Sequence, residues 1–69
     1  MINILLIGGG RGGVGIIELC NQVPDVKISG VVDVKTEAVA IQLAKKMGVP
    51  TFSDVRDGLK LSNINLVIN

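Results

Sequence analysis

The hydrophobic residues of this chain are grouped in short blocks that alternate between strand-like and helix-like spacing. Residues 2 to 7, INILLI, form a mainly aliphatic run that stops at three glycines. Such a run is typical of a β-strand that is covered on both faces. Residues 12 to 22 then place apolar side chains at helical intervals, and Pro24 disfavours helical geometry at Val23. The sequence therefore predicts a central parallel strand followed by a helix that starts on the glycines.

The alternation continues through residues 27 to 48. Residues 27 to 33 are rich in Ile and Val and predict a second strand that ends on Asp33. Thr36 is expected to cap a second helix, and Gly48, just after two lysines, is expected to end it. The predicted inner face of this helix consists of Val39, Ala40, Leu43, Ala44 and Met47.

Two more strands and a short helix complete the pattern. Residues 49 to 52 predict a third strand, and residues 64 to 68 predict a fourth. Between them, Ser53 or Asp54 is expected to cap a short helix. The apolar residues of that helix would be Val55, Leu59 and Leu61.

Four strands alternating with three helices predict an α/β fold with a parallel sheet and right-handed crossovers. The expected architecture is a Rossmann-like three-layer half-domain with strand order 3-2-1-4. The first two helices would cover one face of the sheet, and only the short third helix would cover the other. The fourth strand would leave an aliphatic edge unpaired. We therefore expect the chain either to be a fragment of a longer protein or to form a homo-oligomer through this edge.

Composition and charge exclude several classes of function. The chain has 69 residues, is 48% hydrophobic and has a net charge of +1, which indicates a globular protein and not a disordered one. Its single aromatic residue and scattered basic residues argue against nucleic-acid binding. With no His and one Cys, it lacks a ligand set for zinc or iron. No apolar run suits a membrane span and no signal peptide is present, so a cytoplasmic location is expected.

The glycines after the first strand form the clearest chemical motif. Gly8, Gly10 and Gly13 satisfy G-x-G-x-x-G between a predicted strand and a predicted helix. In this motif the first glycine makes a tight turn, the second lets the backbone approach a pyrophosphate, and the third allows close helix–strand packing. The helix start would direct free N–H groups at the phosphates. A second register, on Gly10, Gly12 and Gly15, also fits but leaves two residues between strand and motif.

Asp33 follows Gly13 by 20 residues, close to the spacing at which an acid meets the adenosine ribose hydroxyls. A carboxylate there would repel a 2′-phosphate, so the expected cofactor is NAD in preference to NADP. The alternative is structural: the glycines would only make a turn, and Asp33 would only cap the next helix. A Walker phosphate loop is rejected, because Gly13 is followed by Val14 and Gly15 and not by Lys with Ser or Thr.

Two further residues keep alternative interpretations. Arg11, within the loop, is expected either to contact a phosphate or to point into water. Cys20 lies in the apolar pattern of the first helix and is expected to be a buried small hydrophobe rather than a redox centre.

Several segments resemble a known family. ILLIGGGRGG, PDVKISGVVDV, KKMGVPTFSD and NINLVIN occur in the order found in the N-terminal domain of the glucose–fructose oxidoreductase and inositol dehydrogenase family. The resemblance covers nearly the whole chain. It implies that Gly8, Gly10, Arg11, Gly13 and Asp33 are cofactor residues. Gly12 and Gly15 make the loop richer in glycine than is usual in that family, and Gly12 is included in the candidate site as part of the loop.

The resemblance implies that residues 1–69 are the N-terminal part of a dinucleotide-binding domain, which would hold the adenosine and pyrophosphate of NAD for an oxidoreductase. No catalytic residue can be assigned, because the family's Glu-Lys-Pro segment and substrate domain have no counterpart here. Similar glycine-rich domains at the N-terminus of bacterial signalling proteins such as sensor kinases imply an alternative: a ligand or redox sensor without catalysis. A scaffold that has lost its cofactor is a third interpretation.

Overall fold

The computed structural model describes all residues, 1–69, as alternating strands and helices. The strands are β1 (Ile2–Ile7), β2 (Val26–Val32), β3 (Thr51–Phe52) and β4 (Leu66–Ile68), and the helices are α1 (Arg11–Asn21), α2 (Val39–Lys46) and α3 (Val55–Gly58). All strand pairs are parallel and the sheet order is β3-β2-β1-β4. The predicted fold class, element order and strand order are confirmed. No helix is long and apolar enough to cross a bilayer.

One face of the sheet holds the main hydrophobic core. Ile4 and Leu6 of β1 pack there with Ile17 of α1 and with Ala40 and other buried residues of α2. Both helices therefore cover the same face, as the predicted crossovers require. A bulge in β2 pairs Leu5 of β1 with Gly30, so that Ser29 is the extra residue.

The opposite face is covered by α3 and the segment after it. A Cβ atom added to Gly58 of α3 would lie 2.8 Å from Val32 Cγ2 and 3.1 Å from Leu5 Cδ1. A Cβ atom on Gly30 would lie 2.7 Å from Leu61 Cδ1 and 3.2 Å from Phe52 Cε2. Glycines on both the sheet and the helix thus allow a thin second layer to approach the strands closely.

The predicted cap and inner face of α2 are partly wrong. Thr36 lies outside the helix, where its hydroxyl donates to Glu37 Oε2, and the N-cap position is Ala38 without a side-chain cap. Ala40 and Ala44 are buried and Leu43 packs against the core as predicted, whereas Val39 and Met47, at the two ends of the helix, are exposed and Ile41 is buried. The exit is confirmed: the lysines lie in the last turn, and Gly48 has a φ of +74°.

The prediction for α3 is correct at its start and wrong at its end. Asp54 is the N-cap, and its Oδ1 accepts a hydrogen bond of 2.8 Å from the Arg56 N–H. The helix ends at Gly58, so Leu59 and Leu61 lie beyond it, and Leu59 is exposed. The third and fourth strands are also shorter than predicted and begin at Thr51 and Leu66.

A group of asparagines fixes the start of β4 against β1. Asn65 N–H donates to the Asn3 carbonyl at 2.9 Å, and Asn65 Oδ1 accepts from Asn3 N–H at 2.9 Å. Asn3 Nδ2 also donates to the carbonyl of Asn63, which has a φ of +65°. β4 is the last strand at this edge, and Leu66 and Val67 are exposed. The predicted aliphatic edge is therefore present.

We expect Gly30→Val to lower the free energy of unfolding by about 1–3 kcal/mol, because the added side chain overpacks the space that Leu61 and Phe52 occupy. The matched control is Ser29→Val at the neighbouring bulge, whose side chain borders an open pocket. Urea denaturation measures both changes. Equal stability of the two variants would contradict this account of the second layer.

Candidate functional site

The candidate site lies at the carboxyl ends of β1 and β2, where the glycine loop turns from β1 into α1. Gly8 extends the strand pairing, because its N–H donates to the Val32 carbonyl at 2.8 Å. Its φ of +113° lies in the region that side-chain-bearing residues rarely adopt. The tight turn expected of the first glycine is therefore located at Gly8.

Close packing of α1 on the sheet occurs at Gly13. A Cβ atom there would lie 2.6 Å from the Gly8 carbonyl oxygen and 3.2 Å from Ala40 Cβ. At Gly10, Gly12 and Gly15 a Cβ atom would meet nothing within 4 Å. The register Gly8, Gly10, Gly13 therefore contains the two positions at which the structure requires glycine, namely the first and the third. The alternative register has no position that requires glycine for packing.

The amino-terminal end of α1 has unused hydrogen-bond donors. Gly10 is its N-cap, without a side-chain cap, and the first turn contains no acidic residue. The first helical bond runs from Val14 N–H to the Gly10 carbonyl. The N–H groups of Gly10 to Gly13 donate to no other group of the protein. These free donors and the positive end of the helix dipole favour an anion in the open space beside Gly10.

Asp33 is joined directly to the glycine loop. Its Oδ2 accepts a hydrogen bond of 2.6 Å from Gly9 N–H, and its Oδ1 accepts one of 2.8 Å from Lys35 N–H. These two N–H groups, that of Lys35 first, lower the pKa of Asp33 below its ordinary value. The carboxylate is therefore ionised at neutral pH. Since each oxygen has used one lone pair, it keeps acceptor capacity for a ligand's hydroxyl groups.

Gly9 occupies an x position of G-x-G-x-x-G, where the motif allows any residue. Its backbone connects the end of β1 to the end of β2 and to α2. Besides its bond to Asp33, its carbonyl accepts a hydrogen bond of 2.8 Å from Ala40 N–H in the first turn of α2. A Cβ atom on Gly9 would lie 3.0 Å from both Asp33 Cβ and Ala38 Cβ. The loop therefore supplies the backbone cap of α2 that Thr36 was expected to provide. Sequence reasoning missed this role, because nothing in the motif distinguishes Gly9 from a freely variable residue.

Two shallow pockets flank Asp33. One, of about 270 Å³, is mostly apolar and includes the exposed Val34 and, from α3, Val55. The other, of about 200 Å³, includes Thr36 and Lys45. Larger pockets lie at the amino-terminal ends of the strands and share no residue with the glycine loop. Asp33 thus has an apolar surface on one side and hydroxyl and ammonium groups on the other.

The remaining predicted residues are less constrained. Arg11 and Gly12 are exposed in the first turn of α1, and Arg11 forms no ion pair. The structure brings neither into contact with Asp33. Cys20 is a free thiol that packs against the main core, but it is half-buried and not fully buried as predicted.

Comparison with known proteins found no relative of this chain. No family model, curated protein or solved structure matches the chain. The interpretation of the site therefore depends on its own residues.

We expect Gly13→Ala to lower the free energy of unfolding by about 1–3 kcal/mol, because its methyl group would overlap the Gly8 carbonyl, a backbone atom that cannot rotate away. The matched control, Gly15→Ala in the same helix, should raise it by up to about 1 kcal/mol, because its methyl group points into open space and alanine favours helix. Thermal or urea unfolding compares the two. Equal destabilisation by both variants would contradict the assignment of Gly13 to close packing.

The lowered pKa of Asp33 predicts a pH-dependent contribution to stability. The unfolded chain takes up a proton at this carboxyl at about pH 4, whereas the folded chain does so only at lower pH. The contribution is thus complete above that pH and is lost as the pH falls through the folded-state pKa. We expect wild-type protein to exceed Asp33→Asn in unfolding free energy at pH 7, and this excess to shrink below about pH 4. Asp25→Asn, whose side chain forms no hydrogen bond, should show a smaller difference throughout.

Proposed function

We propose that this chain is a dinucleotide-binding domain that holds the adenosine and pyrophosphate of NAD. The observation that carries the proposal is the joint arrangement of a free helix start and an ionised acid on the neighbouring strand. Gly10 leaves the donors of α1 open to solvent, and Gly9 links the same loop to Asp33. One extended ligand with phosphates and ribose hydroxyls could use both features.

The residues present fit the pyrophosphate. The free N–H groups of Gly10 to Gly13 can donate to phosphate oxygens, and the absence of a side chain at Gly10 lets a ligand approach the backbone. Arg11, exposed beside these donors and without an ion pair, can supply a positive charge to the same group. Gly12 keeps the first turn open. In this proposal, Gly8 and Gly13 act indirectly by fixing the turn and the position of the helix.

The surroundings of Asp33 fit an adenosine. Its ionised carboxylate can accept hydrogen bonds from the two ribose hydroxyls, and the apolar pocket that contains Val34 and Val55 offers a surface for the adenine ring. The same negative charge opposes a 2′-phosphate, which favours NAD over NADP. Lys45, on the other side of Asp33, only partly offsets that repulsion, because its ammonium group is exposed.

The proposal extends to the protein in which this domain works. We favour an oxidoreductase of the glucose–fructose oxidoreductase and inositol dehydrogenase type, with a cytoplasmic location, where a free thiol such as Cys20 stays reduced. The bound nicotinamide would supply hydride transfer, and substrate-contacting residues would come from a further domain. This chain's own part is binding and orientation.

A sensor without catalysis is the second candidate, and the bond between Gly9 and Ala40 favours it. A ligand that displaces the loop would also disturb the backbone cap of α2, so occupancy could alter the surface around that helix. A third candidate is a scaffold that assembles through the free edge of β4 without holding a cofactor. Binding separates the first two candidates from the third, and hydride transfer by the parent protein separates the first from the second.

Calorimetric titration with NAD, NADP and ADP-ribose tests the proposal. Gly10→Val should fold, because its backbone angles of −81° and −165° suit valine and its side chain meets nothing. It should nevertheless weaken NAD and ADP-ribose binding by about 100-fold, since the side chain blocks two or more charge-assisted hydrogen bonds. Gly15→Val, a matched change one turn further along α1, should leave binding unchanged.

Asp33→Asn supplies the second test. It removes the charge but keeps an acceptor oxygen for the loop, so the ratio of NADP to NAD affinity should rise while ADP-ribose binding weakens. A folded wild-type chain that binds none of the three ligands at about millimolar concentration would reject the proposal and favour the scaffold.

A further inference from the structure

The free edge of β4 has a geometry that suits one particular partner. β4 lies at the end of the sheet, and its side chains are apolar on both faces. Leu66 is 47% exposed and Val67 is 42% exposed. Apolar residues on both faces are typical of a strand that is covered on both faces, whereas Leu66 and Val67 are exposed and β4 pairs along only one edge.

The pairing with β1 shows which backbone groups of β4 remain free. Both the N–H and the carbonyl of Asn3 bond to Asn65, so Asn3 directs its backbone groups toward β4. Because these groups alternate along a strand, Leu5 also directs them toward β4. In a parallel pair such a residue bonds to the two neighbours of its partner. The partner of Leu5 is Val67, so Leu66 and Ile68 bond to β1 and Val67 directs its N–H and carbonyl outward.

These outward groups are arranged for antiparallel pairing of two identical strands. If a two-fold axis passes beside Val67, the Val67 residues of both copies exchange N–H···O bonds. The same register places Leu66 opposite the second copy's Ile68, on the same face of the sheet. It also places Asn65 opposite the second copy's Asn69. The segment Asn65–Asn69, NLVIN, thus matches its own reverse in chemical type at every position.

Charge does not oppose pairing with a second copy, whose strand matches this edge in its own residue order. Residues 62–69 contain no charged side chain, although the whole chain has 13 (7 basic and 6 acidic). Like charges directly opposite each other would oppose two-fold pairing, and edge charges are a common device against such pairing. Neither obstacle is present here, and the edge contains no proline. Opposed apolar pairs instead form on both faces.

We infer that two copies of this chain associate through β4, antiparallel about a two-fold axis at Val67, to form one continuous eight-stranded sheet. The interface uses main-chain bonds of Val67 for register and the exposed Leu66 and Val67 side chains for apolar contact. It shares no residue with the glycine loop or Asp33. The inference therefore does not depend on cofactor binding, and either can fail alone.

Sedimentation equilibrium on the whole chain tests the inference, with circular dichroism to verify folding. Wild type and Val67→Thr, which keeps the β-branched shape and the N–H, should form dimers. Val67→Lys should be monomeric, because it opposes two positive charges across the axis. We expect its dissociation constant to rise at least about 10-fold, because a like-charge pair replaces an apolar contact at the axis.

Amide hydrogen exchange of wild-type protein provides a test without substitution. In a single copy the Val67 N–H is free and should exchange rapidly, whereas in the dimer it should become protected as concentration rises. The Leu66 N–H, bonded to β1, should be protected at all concentrations. A chain that stays monomeric at about millimolar concentration, a dissociation constant that Val67→Lys leaves unchanged, or a dimer with an unprotected Val67 N–H would overturn the inference.

Discussion

The backbone of Gly9 is the contact on which the rest of this structure depends. Its N–H binds the carboxylate that ends β2, and its carbonyl caps α2 through Ala40. Its Cα lies so close to Asp33 and Ala38 that a side chain would meet both at 3.0 Å. One residue therefore joins the end of β1 to the end of β2 and to the start of α2, and a side chain at this position would crowd both neighbours.

The same contact shapes the candidate site. The same loop leads into the start of α1, where the first four N–H groups, those of Gly10 to Gly13, have no intrahelical acceptor and remain free. Asp33 is oriented before any ligand arrives, since two backbone N–H groups fix its oxygens and lower its pKa. Preorganised groups lose less entropy on binding. A site of this kind suits a ligand with both anionic and hydroxyl groups.

The two faces of the sheet are covered by layers of different thickness. One face is covered by two helices and contains the larger core. The other is covered by the four residues of α3 and by Leu61, which lie close to the strands because Gly30 and Gly58 have no side chains. β4, at the margin of both layers, is the least covered strand. Leu66 and Val67 form the exposed apolar part of this edge.

The sequence by itself determined the order of elements and the parallel sheet and left two possible glycine registers, because hydrophobic periodicity, glycines and strand-end residues act over a few neighbouring positions. Only the tertiary structure decided that Gly9 and not Thr36 caps α2 and that α3 ends at Gly58. It also decided that the backbone N–H and carbonyl of Val67 point away from β1. These features depend on atoms from segments far apart in the chain. Local patterns contain no information about such contacts, so the sequence could predict which segments form the candidate site but not the hydrogen bonds between them.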